Sequence, residues 1–339
     1  MEKLTKTGWC ITALCTFTVG CLVFSAVKFI NTDAGMIGKE QDKLQYVSIN
    51  VMLERPENWR QISSEPVIDE NSFSGIDGST ATVPVTAELV RQFCGADANV
   101  YKYVSHNMTD RAYENLIYGK KNDNGLNENT VKLIFATPPS EDEYEMAKNE
   151  GVTLEVEPVA LDGFVFITHK DNPVSSLTTQ QIRDIYSGKI TNWKDVGGKD
   201  EKIRAFQRTK NSGSQTAMEE LVMQGEKMTE APMYVANYMG GLIDEVAEYE
   251  NESAAIGYTY NYYINNLYKS PDIKVIAVDG ITPENENLVN NKYPFASAYY
   301  AVIRADEPEN SEYRKLRDYM LTDEGQEIIR LAGYCPANG

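Results

Sequence analysis

Small hydroxylated residues sit at four points of this 339-residue chain, each where an apolar run gives way to a helical pattern. The first is Asp77-Gly78-Ser79-Thr80-Ala81, ahead of a pattern carrying Leu89, Val90 and Phe93. The second is Ser105-His106-Asn107-Met108-Thr109, ahead of Tyr113, Leu116 and Ile117. The third, Ala136-Thr137-Pro138-Pro139, closes an apolar run. The fourth is Gln207-Arg208-Thr209-Lys210-Asn211-Ser212-Gly213-Ser214, before Met218 and Leu221. The chemistry such junctions share is oxyanion binding. The first-turn N–H groups of a helix have no intrahelical acceptor, and the helix dipole places roughly half a positive charge beside them. A tetrahedral oxyanion supplies the acceptors, provided the side chains are small enough to let the backbone approach. Taken singly, each junction is an ordinary N-cap. Arg208 adds to the pattern: four residues before Ser212, its planar fork can meet an anion surrounded by the amides of Ser212, Gly213 and Ser214. Its bland alternative is a surface salt bridge in an acidic protein.

Other chemistries find little support. The net charge of −18 opposes nucleic-acid binding, and no Lys/Arg cluster offsets it. It does not oppose a small anion, because aimed N–H groups at contact range outweigh diffuse charge screened over about 8–10 Å. There are two histidines, His106 and His169, and no cysteine pair with metal-ligand spacing, so no metal or cofactor is expected. Ser212 and Ser214 have no histidine near them in sequence, and the reading is of a binding protein and not an enzyme. The tyrosines at 258, 260, 262 and 263 fit strand and interlobe packing better than sugar stacking.

Elements must aim these loops. Strand patterns cover residues 131–136, 163–168, 203–206, 254–258, 273–278 and 298–304. Helical patterns fall between them. One opens with a capping-box spacing, Thr178 to Gln181, carries Ile182, Ile185 and Tyr186, and stops at Gly188. Others run from Ser214 to near Gly225, over residues 312–321, and over residues 327–332 before Gly333. This alternation predicts an α/β fold with parallel sheets. The acidic stretch 119–130 reads as a surface loop. Upstream, residues 9–27 form an uncharged apolar stretch between Lys6 and Lys28, long enough to span a bilayer. An uncleaved anchor (1–30) followed by a stalk (31–71) is the favoured expectation, with a strand at residues 46–51. A cleaved signal, or a lipoprotein modified at Cys21, is the alternative; each places the folded part outside the membrane. Cys94 and Cys335 could pair there as a disulfide or remain two separate thiols.

Several of these residues carry a family likeness. Asp77 to Thr80, residues 161–168, Asn172-Pro173-Val174, residues 177–193, Arg208 with Ser212-Gly213-Ser214, and Ile256-Gly257-Tyr258 resemble the phosphate-binding proteins of phosphate ABC transporters. The likeness extends from about Ser74 to the C-terminus. It implies a two-lobed class II periplasmic-binding-protein fold, with lobe 1 at 72–160 and 286–339, lobe 2 at 161–285, and the ligand in the cleft between them. Carried over by position, the ligand-binding residues are Ser79, Thr80, Ala81, Thr109, Thr137, Arg208, Ser212, Gly213 and Ser214. The resemblance further implies a monomer that captures inorganic phosphate for an ABC permease. The alternatives are another oxyanion, such as sulfate or molybdate, or a tethered sensor without a transport role. Two departures stand out. Pro138 occupies the position where the family places a carboxylate to accept phosphate's proton, with Asp77 or Glu141 as possible substitutes. Asn107-Met108 replaces the glycines usual in the second loop.

Overall fold

The computed structural model describes residues 55, 57–63, 65–121, 127, 128, 130–230, 239–248 and 253–338. The expected anchor with its three cysteines, residues 31–54 of the stalk and the strand at 46–51 lie outside these residues. Among the described residues no helix is long and apolar enough to cross a membrane.

The chain begins with β1 (Ile76–Gly78), α1 (Val83–Cys94) and α2 (Thr109–Tyr118). A short antiparallel pair follows, β2 (Lys120–Lys121) with β3 (Asn127–Glu128), inside the stretch expected to be loop. Next come β4 (Leu133–Ala136), α3 (Glu141–Asn149) and the long β5 (Leu154–His169). The middle of the chain holds β6 (Ser176–Leu177), α4 (Thr179–Tyr186), β7 (Arg204–Ala205), α5 (Gly213–Ala217), α6 (Met239–Glu248), β8 (Ala255–Tyr260), β9 (Ile273–Val278) and α7 (Asn285–Val289). It closes with β10 (Ala296–Arg304), α8 (Glu312–Tyr319), α9 (Asp323–Leu331) and β11 (Cys335–Pro336).

β5 organises the fold into two α/β lobes. From Leu154 to Gly163 it pairs with β10, which pairs in turn with β4 and through it with β1. From Phe164 to His169 it pairs instead with β8 and β9. One strand thus serves two sheets, and the change of partner falls at Gly163–Phe164. The expectation of parallel sheets needs correction. β1 is parallel to β4, β7 to β8 and β6 to β9, but β10 is antiparallel to both its partners and β5 is antiparallel to β8 and β9. The reason is the return path: β10 runs back alongside β5 and must oppose its direction.

β5 is also longer than its apolar run, because Glu155 and Glu157 interrupt the pattern at its start. Glu155 is tied down by Arg314 at 2.8 Å and Arg317 at 2.7 Å, both from α8, so the charge is accommodated within a strand. The helix starting at Thr178 forms as its spacing predicts. Thr178 accepts from the Gln181 N–H at 3.1 Å, Gln181 reaches back to the Thr178 N–H at 2.8 Å, and Ile182, Ile185 and Tyr186 are buried. Such a cap is worth about 1 kcal/mol. Gly188 then turns the chain at a φ of 79°. The expected helix from Ser214 starts one residue earlier, capped by Ser212, and widens into a π-helical turn at Met218–Met223. α8 ends at Tyr319, short of the expected 321. α9 begins at Asp323, ahead of the expected 327, because Thr322 caps it through the Gly325 N–H at 3.2 Å. Cys94 and Cys335 are free thiols, which removes the disulfide alternative.

Candidate functional site

β1 and β4 lie side by side in parallel with Gly78 opposite Phe135, so the loops that follow them leave the sheet at the same edge. The first loop is pinned to the second strand. The Ser79 N–H donates to Phe135 O at 2.9 Å, and Thr82 Oγ1 donates to the same carbonyl at 2.6 Å. With the Ser79 amide engaged, Thr80 and Ala81 supply the first-turn N–H groups of the helical segment that leads into α1.

His106 clamps the second loop to the first. Its Nδ1 lies 2.8 Å from Ser79 O and its Nε2 lies 3.0 Å from Thr86 Oγ1. A carbonyl can only accept, so Nδ1 carries the proton and Nε2 receives the threonine hydroxyl. Asp77 completes the brace. Its Oδ1 accepts from the N–H groups of Gly78 and Asn107, each at 2.8 Å, and its Oδ2 accepts from the side-chain amides of Asn107 at 2.8 Å and Asn115 at 2.9 Å. Asp77 is therefore a cross-tie between loops and not a substitute for the acceptor lost at Pro138. Glu141, the other candidate, is an exposed first residue of α3. Met108 adopts a φ of 69°, the left-handed conformation that favours glycine, with its side chain 39% exposed. The loop keeps the backbone path of a glycine where none is present, and Thr109 then starts α2 with its side chain buried.

The third loop holds the most telling atom. Thr137 is 2% exposed, and its carbonyl accepts from the Tyr113 hydroxyl at 2.7 Å. Its own Oγ1 is buried without a hydrogen-bond partner in the protein. Nearby, Ser140 and Glu143 form a capping box at the start of α3, with the Ser140 N–H 2.7 Å from Glu143 Oε2. Glu143 Oε1 also lacks a partner, and burial pushes this carboxyl up to about 7.

The fourth loop follows β7 in the other lobe. The Arg208 N–H is held by the Tyr258 hydroxyl at 3.0 Å and Gln215 Oε1 at 3.1 Å. The guanidinium is buried, with Nη1 3.3 Å from Ser214 Oγ, so the surface-salt-bridge alternative does not apply. Ser212 caps α5 through the Gln215 N–H at 3.3 Å, leaving Gly213 and Ser214 in its first turn. A methyl group placed on Gly213 would lie 2.4 Å from Thr137 Oγ1 and 3.0 Å from Thr109 Oγ1. The glycine is what allows the fourth loop to approach two hydroxyls of the opposite lobe.

Thr109, Thr137 and Gly213 thus meet directly. Ser212, Ser214 and Arg208 surround Gly213, and Ser79 to Ala81 are fastened to Phe135, two residues before Thr137. Sequence reasoning missed the bracing residues: Tyr113, His106 with Thr86, and Gln215 with Tyr258. Two had a readable signal. Tyr113 lies one helical turn from Thr109, and Ser212 to Gln215 has the spacing of a capping box. Tyr258, Tyr260 and Tyr263 are buried, and Tyr262 stacks on Tyr334 at 3.8 Å, which makes the aromatic cluster packing and not a sugar platform. His169 is buried, and its Nδ1 accepts the Asp171 N–H at 3.2 Å.

Comparison with known proteins bears on the fold and the family. A family model described as a PBP superfamily domain matches residues 116–324. The phosphate-binding protein PstS of Borreliella burgdorferi is 24% identical over 274 residues, covering 78% of this chain and 90% of that protein. A solved structure from Clostridium perfringens, assigned as a phosphate ABC transporter substrate-binding protein and holding phosphate, is 29% identical with a TM-score of 0.57, over 77% of this chain and 98% of that one. An ABC-type phosphate transport receptor from Vibrio cholerae shares the fold at a TM-score of 0.53 and 21% identity, over 76% of this chain and 98% of the receptor.

Proposed function

Because the chain belongs to the PBP superfamily, we propose that it is an extracytoplasmic solute-binding protein that encloses inorganic phosphate between its lobes and presents it to an ABC permease. The observation that carries this reading is the Thr137 hydroxyl, a buried donor without a protein partner at the point where the lobes meet. A buried hydroxyl left unpaired costs about 1–3 kcal/mol, so its retention calls for a ligand that accepts from it. The surroundings specify the kind of ligand. Thr109 offers a second hydroxyl, Thr80, Ala81, Gly213 and Ser214 offer first-turn amides from two helices, and Arg208 offers a buried cation. These groups are donors, and a compact anion with several oxygens satisfies them together. That the relatives above include proteins named for phosphate supports phosphate among such anions.

Discrimination against sulfate has a weaker basis. Phosphate carries a proton that sulfate lacks, Pro138 offers no acceptor for it, and Asp77 is fully engaged elsewhere. Selectivity between the two anions is accordingly expected to be modest. Residues 9–27 would hold the protein at the outer face of the membrane as an uncleaved anchor, with the binding domain acting as a monomer. The test is titration calorimetry of the purified full chain against phosphate, sulfate and molybdate. Saturable one-to-one phosphate binding is the expected result, and absence of heat with all three anions overturns the reading.

A further inference from the structure

The contacts across the cleft mouth include charges that lie outside the anion site. Asp142, the second residue of α3 in lobe 1, accepts from Lys210 Nζ at 2.5 Å and from Asn211 Nδ2 at 3.1 Å. Both donors belong to the fourth loop in lobe 2, between Arg208 and Ser212. Asn211 has a φ of 64°, a left-handed turn that asparagine tolerates better than most residues, and the Ser212 N–H closes the turn on Thr209 O at 3.2 Å. The same loop carries Gly213 against Thr137 and Thr109. Holding Lys210 and Asn211 to lobe 1 therefore holds Gly213 in place over the two hydroxyls.

The hydrogen bond from Lys210, then that from Asn211, holds the Asp142 carboxyl below its ordinary range.

We propose that Lys210 and Asn211 are positioning residues that latch the fourth loop onto Asp142, so that the rate of anion release depends on side chains that do not touch the anion. Closure then has two contributions. Anion contacts favour it when ligand is present, and the latch sets how far the lobes favour closure on their own. Exposed pairs of this kind change equilibria by small factors, which suits a receptor that must also open to deliver its ligand.

The inference rests on the phosphate reading for its ligand, and the experiment keeps the two separate. Full-chain wild type, Asp142→Asn and the charge swap Asp142→Lys with Lys210→Asp are compared in two measurements. One is the phosphate release rate by stopped flow; the other is amide hydrogen exchange of segments 137–143 and 209–215. At low salt Asp142→Asn should release phosphate roughly two- to five-fold faster and exchange faster in both segments, the size expected for an exposed ion pair. The swap should return both readouts toward wild type. At about 1 M salt the differences should shrink, because screening then acts within about 3 Å. A structural role for Asp142 at the N-terminus of α3 predicts otherwise: faster exchange in segment 137–143 alone, with no rescue by the swap, since a lysine there is worse for the helix. Either that pattern or unchanged release and exchange in Asp142→Asn overturns the latch. Should the wild type bind no phosphate, the functional reading fails, and exchange in the two segments still decides the latch.

Discussion

Replacing Thr137 by valine separates ligand binding from folding within one side chain. Valine keeps the β-branched shape and removes the Oγ1 that is buried without a protein partner. Leaving a buried hydroxyl unpaired costs about 1–3 kcal/mol, so Thr137→Val should leave stability unchanged or raise it by about 1 kcal/mol, once the tighter fit of a methyl against Gly213 is counted. Affinity should move the other way. A hydroxyl donating to a charged acceptor is worth about 1.5–3 kcal/mol, which corresponds to a loss of roughly 10- to 150-fold in phosphate affinity. Thr137→Ser keeps the donor and should bind within about three-fold of wild type, by the same arithmetic. The assays are phosphate calorimetry and urea unfolding on the same preparations. Two outcomes refute the reasoning. Unchanged affinity in Thr137→Val would show that the hydroxyl does not face the ligand. Stability lost in parallel with affinity would show that its role is structural.

Three further substitutions test other parts of the account. Gly213→Ala places a methyl 2.4 Å from Thr137 Oγ1, so it should hold the lobes apart and lower phosphate affinity by about 5- to 150-fold with little change in unfolding, overpacking being worth about 1–3 kcal/mol; unaltered calorimetry would show that the cleft does not close on this glycine. Pro138→Asp restores an acceptor beside Thr137 and should raise the preference for phosphate over sulfate in competition calorimetry, whereas identical selectivity would place the third loop away from the anion. Asp162, fully buried in β5 beside the change of partner, accepts from the N–H groups of Gly163 and Tyr262 and from the Tyr299 hydroxyl, all neutral donors, and burial pushes its carboxyl up from 3.8 to about 7. The native state then holds a proton that the unfolded chain has lost, so this group's contribution to stability is full below pH 3.8 and falls as pH rises toward about 7. Asp162→Asn should match wild type near pH 4 and exceed it at pH 8 by up to ~4 kcal/mol, three units at 1.36 kcal/mol each, in urea unfolding; equal stability at both pH values would contradict it.

What the sequence reveals and what it conceals divide along physical lines. Local signals read well. Thr178 and Gln181 announce α4 because both halves of the capping box lie within four residues, and the small residues around Ser212 mark a helix start. The loops carrying Thr80, Thr109 and Gly213 were legible because each opens a helical turn, whereas Thr137 follows a strand, three residues before the Ser140 cap of α3. Signals that depend on distant partners were silent. β5 looked far shorter than its 16 residues because Glu155 appears unfit for a strand until Arg314 and Arg317 arrive from α8. Asp77 looked available to a ligand because its four donors, from Gly78, Asn107 and Asn115, are brought together by the packing of α2 against β1. The antiparallel return of β10 could not be read from alternation of strands and helices, since alternation does not encode direction.

An acidic chain that holds a polyanion looks contradictory at a net charge of −18, and the geometry of the cleft resolves it. Charge acts on the ligand according to distance and screening. Surface carboxylates such as Glu219 and Glu220 face water, where two unit charges 4 Å apart interact by about 1 kcal/mol and the field fades within 8–10 Å. Inside the closed cleft the effective dielectric is lower, and the same separation is worth about 4 kcal/mol. On the proposed function Arg208 and the first-turn amides act in that setting, whereas nearby Asp77 has its charge already answered by four N–H groups. The diffuse negative surface therefore acts mainly on the approach of an anion, and the buried donors act on its retention. Closure is the step that transfers the anion from the first regime to the second. The residues that bring Gly213 to Thr137 therefore bear on retention without touching the ligand, with smaller effects expected than for the residues that touch it.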